Sequence, residues 1–153
     1  LVARRVGNLE FITVASPDYL ERKGTPTHPL EIEEKHARVI YFSPQTGRHY
    51  PLEFRKGEES IDITGPYQVS VNESNAYVTA ILAGLGVGQI TGYQAERHLK
   101  SGALMQLLPE WTQPLLPVYV VYPPNRHLSA KVRAFVDWAA ELFQREAHLQ
   151  RTA

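Results

Sequence analysis

The sequence predicts an α/β domain in which a mixed sheet packs against helices, and three observations lead to this fold class. Short runs rich in β-branched and aromatic residues alternate along the chain with segments of helical periodicity. Glycine and proline separate these segments, as expected for closely spaced elements. Hydrophobic residues form 43% of the 153 residues and charged residues 21%, so the chain has the composition of a folded domain with its own core.

The N-terminal part predicts one strand followed by two short helices. Residues 9–14 alternate in character and are rich in β-branched and aromatic side chains, which indicates a strand. Ser16 is suited to the N-cap of the next helix and Pro17 to its first turn. Residues 29–36 predict the second short helix.

The middle of the chain predicts a run of short antiparallel strands joined by tight turns. The strands are expected at residues 39–42, 50–54, 60–64 and 67–71, with Gly47, Gly57 and Gly65–Pro66 between them.

A helix is then expected from about residue 72, because five apolar residues fall on one of its faces. We expect this face to be buried, and it consists of Tyr77, Val78, Ile81, Leu82 and Leu85. Gly84 and Gly86 are suited to a left-handed C-cap. A buried strand at 87–90, a polar helix at 92–100 and a strand at 104–108 follow.

The C-terminal part predicts a strand and the clearest helix of the chain. Residues 109–117 contain three prolines and indicate a stiff crossing segment before a strand at 118–122. Ser129 caps the last helix, and its apolar positions repeat at helical spacing: Val132, Phe135, Val136, Ala139 and Phe143.

Composition excludes several classes of site. Sixteen basic residues balance sixteen acidic ones, which argues against a broad nucleic-acid-binding face. The absence of cysteine excludes disulfides and thiolate metal sites. Six histidines show no ligand-like spacing, and no catalytic nucleophile with a partner base is visible. The glycines at 84–88 follow a helix and precede a strand, the reverse of a phosphate loop. We therefore expect no enzyme activity, no metal and no cofactor.

The sequence also gives no sign of a membrane protein. The longest nearly apolar stretch, 76–90, is too short to cross a bilayer, and no signal peptide is visible. We expect a cytoplasmic protein without a membrane partner. The chain begins with Leu1 rather than Met, so we expect it to be part of a longer protein.

Three polar turns form the candidate site, because each carries a strand into a helix. Such helix N-termini offer free N–H groups and a positive dipole, which suit a carboxylate, and ligands often bind at this edge of α/β sheets. Plain helix capping is the alternative for each residue. The candidate residues are Ser16, Pro17, Ser70, Asn72, Ser74, Asn75 and Thr91.

An ordered set of segments resembles the effector domain of LysR-type transcriptional regulators. The segments are LVARRVG at 1–7, TVASPDYL at 13–20, GTP at 24–26 followed by His36, VNE at 71–73, AGLGV at 83–87, LLPEW at 107–111, LPVYVVYP at 116–123, RHL at 126–128 and KVRAFVD at 131–137. Together they cover nearly the whole chain.

The resemblance implies a type 2 periplasmic-binding-protein-like fold with two subdomains and a small, often anionic effector between them. Residues 1–153 would be a partial effector domain, in which 8–109 form the complete second subdomain. Residues 1–7 and 115–146 would belong to the first subdomain, contributing its C-terminal strand and helix, and 117–122 would pair with 1–6. DNA would be bound only by a helix-turn-helix domain outside this chain.

The resemblance also implies self-association as a homodimer or a larger assembly. We expect Phe135, Val136 and Phe143 to be exposed for that contact. Two other functions remain open: a solute-binding receptor of the same fold, and a small α/β enzyme.

Overall fold

A computed structural model describes residues 1–124 and 129–145 of the chain. Its strands are β1 (Val2–Leu9), β2 (Phe11–Ala15), β3 (Val39–Tyr41), β4 (Leu52–Lys56), β5 (Glu59–Ile63), β6 (Val69–Val71), β7 (Gly88–Thr91), β8 (Met105–Leu107) and β9 (Leu116–Tyr122). Its helices are α1 (Pro17–Lys23), α2 (Pro29–Lys35), α3 (Ser74–Leu82), α4 (Gly92–Lys100) and α5 (Ala130–Arg145). None of the helices in these described ranges has the length and apolar character needed to cross a bilayer.

The chain divides into two compact units. Unit 1 contains Leu1–Glu10 and the chain from Leu115 onward, and unit 2 is Phe11–Pro114. Unit 2 begins and ends a few residues later than the predicted second subdomain, 8–109. The reason is that β1 pairs with β9 as far as Leu9 and Leu116.

The described part of unit 1 is a two-stranded antiparallel sheet covered by one helix. Val2 lies opposite Tyr122 in the β1–β9 pair, with a bulge between Arg5 and Gly7. The predicted pairing of 117–122 with 1–6 is confirmed for 119–122, whereas 117 and 118 lie opposite Asn8 and Gly7. Helix α5 packs closely on β1 at Gly7, where an added Cβ would lie 2.6 Å from Cδ1 of Phe143.

The predicted exposed face of α5 is only partly correct. Val136 is 2% exposed and Phe143 is half-buried, because positions 136, 139 and 143 share the side of the helix that faces β1. Phe135 is exposed as expected, and with its neighbours it forms an exposed apolar stripe along α5: Val132, Phe135, Trp138 and Leu142.

Unit 2 contains a three-stranded antiparallel sheet in the order β7–β2–β8, a parallel pair β3–β6 and the hairpin β4–β5. The predicted run of antiparallel strands is therefore wrong for β3 and β6. The intervening hairpin and the segment after it return the chain beside β3 in the same direction. The buried guanidinium of Arg38 fixes this return by donating to the carbonyls of Thr64 and Pro66.

Alternate residues of the same strands supply two hydrophobic clusters, which is the pattern expected of a sheet between helices. Val14 and Val39 lie in one cluster with α3, whereas Ala15 and Ile40 lie in the other with α1 and α2. Tyr77 links α3 to strands β3 and β7. Its hydroxyl donates to Val39 O and accepts from Gln89 N, both at 3.0 Å. Burial raises the pKa of Tyr77 to about 12.

Helix α3 buries most, but not all, of its predicted face. Tyr77, Val78 and Ile81 are buried and Leu82 packs at the edge of the same cluster. Leu85 is 41% exposed, so its predicted burial is wrong. The helix ends at Leu82, and Gly84 then takes the left-handed conformation (φ 73°) expected of a C-cap, which turns the chain away before Leu85.

Candidate functional site

The N-terminus of α3 is capped by Glu73, a residue that the sequence did not single out. Its Oε1 accepts from Asn75 N at 2.9 Å and from Asn75 Nδ2 at 3.1 Å, and its Oε2 accepts from Ala76 N at 2.8 Å. These hydrogen bonds, led by the one from Asn75 N, lower the pKa of the Glu73 carboxyl. The amides expected to hold a ligand's carboxylate thus already hold a carboxylate of the chain itself.

Asn72 and Ser70 lead into this helix without capping it. Asn72 accepts a hydrogen bond from the Tyr41 hydroxyl through its backbone oxygen, at 3.1 Å. Ser70 lies in β6 opposite Ile40, and its Oγ is buried without a hydrogen-bond partner among the described residues.

The N-terminus of α4 is joined to that of α3 by the side chain of Gln94. Thr91 caps α4 by accepting from Gln94 N at 3.3 Å, and its Oγ1 lies 3.0 Å from Gln94 Oε1. Gln94 Nε2 donates to Ser74 Oγ at 2.6 Å. The structure therefore brings together Ser74 and Thr91, two predicted site residues from separate turns, through a glutamine that sequence reasoning missed.

Ser16 and Pro17 lie away from this group. Ser16 is 3% exposed and caps α1 by accepting from Tyr19 N at 3.3 Å. It lies at the opposite end of α3, since a Cβ added at Gly84 would be 3.4 Å from Ser16 Oγ. Helix α3 has nine residues. At the usual rise per residue it is about 13 Å long.

The direction of the strands explains this separation. Strand β2 is antiparallel to β7, with Phe11 opposite Thr91 and Val14 opposite Gly88. The carboxyl ends of the two strands, and the turns that follow them, are therefore at opposite edges of the sheet. The expectation that all three polar turns share one edge is wrong for Ser16 and Pro17. Ser74 and Thr91 do lie at one edge, joined by Gln94, and Asn75 follows Ser74 in the chain.

A groove of about 520 Å³ lies between α3 and α4, and Asn75 and Gln94 line the part nearest the N-termini of the two helices. Apolar side chains line part of its wall, namely Val78, Leu82 and Tyr93. Charged groups lie at its far part, where Lys100 pairs with Glu96 at 2.6 Å and Arg97 Nε donates to His98 Nε2 at 3.2 Å. Burial, followed by the nearby Arg97, lowers the pKa of His98.

No metal centre is built in the part of the chain that the structure describes, where no three His, Cys, Asp or Glu side chains lie close enough to share an ion. The chemistry of the Ser74–Thr91 edge is hydrogen bonding by hydroxyl and amide groups. It is suited to binding a polar molecule.

Comparisons with known proteins agree with this architecture. Residues 1–144 match the family model of the LysR substrate binding domain. The chain is 29% identical over 152 residues to an HTH-type transcriptional repressor of Pseudomonas aeruginosa (strain UCBPP-PA14), covering 99% of this chain and 48% of that protein. It is 36% identical over 144 residues to the uncharacterized HTH-type transcriptional regulator YhjC of Escherichia coli (strain K12), covering 92% of this chain and 46% of that protein.

The fold is also similar to solved structures. The full-length structure of the Vibrio cholerae virulence activator AphB, described as a member of the LTTR protein family, superposes with a TM-score of 0.78 at 26% identity. That match covers 93% of this chain and 48% of AphB. The α/β architecture is thus the type 2 periplasmic-binding-protein-like fold of LysR-type regulatory domains. The chain spans about half the length of the curated relatives it matches. Because the family model covers nearly all of its residues, the chain belongs to the LysR substrate-binding-domain family of transcriptional regulators.

Proposed function

We propose that this chain is the effector-sensing part of a LysR-type transcriptional regulator, in which a small metabolite bound to unit 2 controls DNA binding. The observation that carries the proposal is the polar edge of unit 2, where Gln94 joins Ser74 to Thr91 at the start of the α3–α4 groove. Ligand sites commonly combine a few convergent polar groups with an apolar wall, and this edge offers both.

DNA contact is assigned to the rest of the regulator. The chain has no net charge, whereas a DNA-binding surface needs clustered positive charge. The curated relatives carry helix-turn-helix names and are about twice as long as this chain. In this proposal the helix-turn-helix domain lies outside the chain, works in the cytoplasm and responds to the ligand through the effector domain.

The N-terminus of α3 also bears on the chemical class of the ligand. An anionic effector was expected because helix N-termini attract carboxylates. Glu73 already occupies the first amides of α3, so a carboxylate would reach them only by displacing Glu73. Ser16 and Pro17 are not part of this proposal, because they lie at the other edge.

A screen of the full-length regulator tests the proposal. Thermal unfolding is measured with small carboxylates, aromatic acids and their neutral amides, because a ligand that binds the native state raises Tm. A compound that raises Tm should also change the affinity for operator DNA in a gel-shift assay. Ser74→Ala should reduce the Tm increase, whereas Ser101→Ala, at the other end of α4, should preserve it. A compound that shifts both variants equally would place the ligand elsewhere.

A further inference from the structure

If the Ser74–Thr91 edge binds the effector, as proposed above, the direction of its hydrogen bonds determines which chemical group it accepts. Thr91 Oγ1 accepts from Gln94 N at 3.3 Å, so its own proton is free to point toward Gln94 Oε1 at 3.0 Å. The amide of Gln94 then presents Nε2 to Ser74 Oγ at 2.6 Å, where it donates.

This direction leaves Ser74 as a donor toward solvent. Its Oγ is used as an acceptor by Gln94, while a hydroxyl carries one proton of its own to donate. Ser74 is exposed, so a bound molecule can reach that proton. A ligand group that binds Ser74 through this proton is an acceptor.

The charge at the same edge decides which acceptor fits. Glu73 lies next to Ser74 in the chain, and its carboxylate neutralises the positive end of α3 through Asn75 N and Ala76 N. Glu73 and Ser74 are both exposed, so a ligand that reaches Ser74 comes close to this negative charge. A second carboxylate would meet like charge with no free α3 amide to offset it, whereas a carbonyl or hydroxyl would not.

We propose that this edge selects a neutral acceptor group, such as an amide or ketone carbonyl, on a ligand whose apolar body lies in the α3–α4 groove. Ser74 donates to that group and Gln94 is the positioning residue that fixes the direction of the Ser74 proton. Glu73 is the specificity-determining residue, because its negative charge disfavours carboxylates. The groove supplies the apolar wall for the body through Val78, Leu82 and Tyr93.

Benzamide and benzoate are the probes, because they share a ring and differ in the charge of the polar group. The ¹⁵N-labelled 153-residue chain is titrated with each compound and followed by two-dimensional NMR. We expect benzamide to shift the signals of Ser74, Asn75 and the Gln94 side-chain amide, with an affinity at least tenfold above that of benzoate at these residues.

Two charge variants test the roles of the named side chains. In Gln94→Glu the side chain keeps its shape but can only accept hydrogen bonds. The Ser74 hydroxyl then donates to Glu and is no longer available to the ligand. We expect at least a fivefold loss of benzamide affinity. Glu73→Gln keeps an acceptor for the helix and removes the charge, so the preference for benzamide over benzoate should fall at least threefold. Glu21→Gln on α1 is the matched control and should leave the preference unchanged.

Each result decides the inference. Benzoate binding as well as benzamide at Ser74 would overturn it, and so would full benzamide affinity in Gln94→Glu with an unchanged Tm. If Gln94→Glu lowers Tm, the benzamide-to-benzoate ratio of Glu73→Gln decides instead. If neither probe shifts these residues, the inference fails, while the proposed function stands when another compound changes Tm and operator binding. The proposed function fails separately if no compound changes either.

Discussion

The side-chain amide of Gln89 hydrogen-bonds the backbone of Glu53 as a neighbouring strand would. Gln89 Oε1 accepts from Glu53 N at 3.0 Å, and Nε2 donates to Glu53 O at 2.8 Å. The same Nε2 donates to Thr13 Oγ1 at 3.1 Å. One side chain thereby ties the β4–β5 hairpin to the three-stranded sheet of unit 2.

Replacing Gln89 by Ala should destabilise the chain by roughly 1–3 kcal/mol, because the backbone of Glu53 loses both hydrogen bonds to Gln89 and buried Thr13 loses one of its partners. Urea unfolding followed by circular dichroism measures the change. Gln106→Ala is the control, since Gln106 is exposed on β8 and should change stability by less than about 0.5 kcal/mol. Equal stability of the two variants would show that the Gln89 contacts contribute nothing.

Gly86→Ala should be strongly destabilising for two reasons. The residue has a φ of 155°, and an added Cβ would lie 2.5 Å from the backbone oxygen of Ala37. We expect a loss of roughly 1–3 kcal/mol from the overlap. Gly102→Ala separates strain from overlap, because Gly102 also has positive φ (74°) and no atom within 4 Å of the added Cβ. A Gly86→Ala variant as stable as Gly102→Ala would contradict the prediction.

The free energy of unfolding should fall at mildly acidic pH, because His36 becomes protonated more readily in the unfolded chain. Its Nδ1 lies 3.0 Å from the Tyr19 hydroxyl oxygen, which also accepts from Ala37 N at 2.9 Å. Burial is the main cause that lowers the pKa of His36 below its ordinary value of 6.5; Glu31 opposes it, and Lys35 and Lys23 add to it. The unfolded chain then binds the proton more readily, so the stabilisation is present above pH 6.5 and is lost as pH falls from there through the lower pKa of the folded chain.

His36→Gln removes this titration. The variant should lose less stability than the parent chain between pH 7.5 and pH 5.5, about one pH unit either side of the ordinary histidine pKa. Urea midpoints at the two pH values measure the difference, and the comparison at the higher pH gives the effect of the lost Tyr19 contact alone. Parallel pH profiles for both proteins would show that His36 does not contribute.

Self-association should depend on the exposed apolar stripe of α5. Phe135 is 55% exposed and Trp138 is 56% exposed, and their rings contact each other at 5.7 Å between centroids. Apolar patches of this kind on a folded domain are commonly buried against a partner. In sedimentation velocity the chain should form dimers or larger species at high concentration, and Phe135→Lys should weaken them. Arg145→Ala, at the end of α5, should not. A single monomeric species at all concentrations would contradict this.

Local signals in the sequence predicted elements well. Helix α4 has the expected limits because Thr91 caps one end and Ser101–Gly102 ends the other, and both signals are read within a few residues. The role of Gly84 was also predictable, since a glycine after an apolar helical run is typical of a left-handed cap.

Features that depend on distant parts of the chain were not predictable. Ser16 has a strong local capping signal, but its distance from Thr91 depends on the antiparallel pairing of β2 with β7. Glutamate is not among the preferred N-caps, so the sequence did not predict Glu73 as the cap of α3, although acidic residues do favour helix N-termini. Gln94 belongs to no motif, and only the packing of α3 beside α4 gives it a role.

The pairing of β1 with β9 has a consequence for the order of folding. The chain leaves unit 1 after Glu10 and returns at Leu115, so the two strands meet only after all of unit 2 has been passed. Closing a flexible loop of about a hundred residues costs about 4 kcal/mol in entropy. Within folded unit 2, however, Gln113 Nε2 lies 3.3 Å from Thr13 Oγ1, which holds the two ends of the insertion close together. Unit 2 should therefore fold first, because its folded state brings the ends of β1 and β9 close enough to pair. A substitution that destabilises unit 2 should then also slow the formation of unit 1.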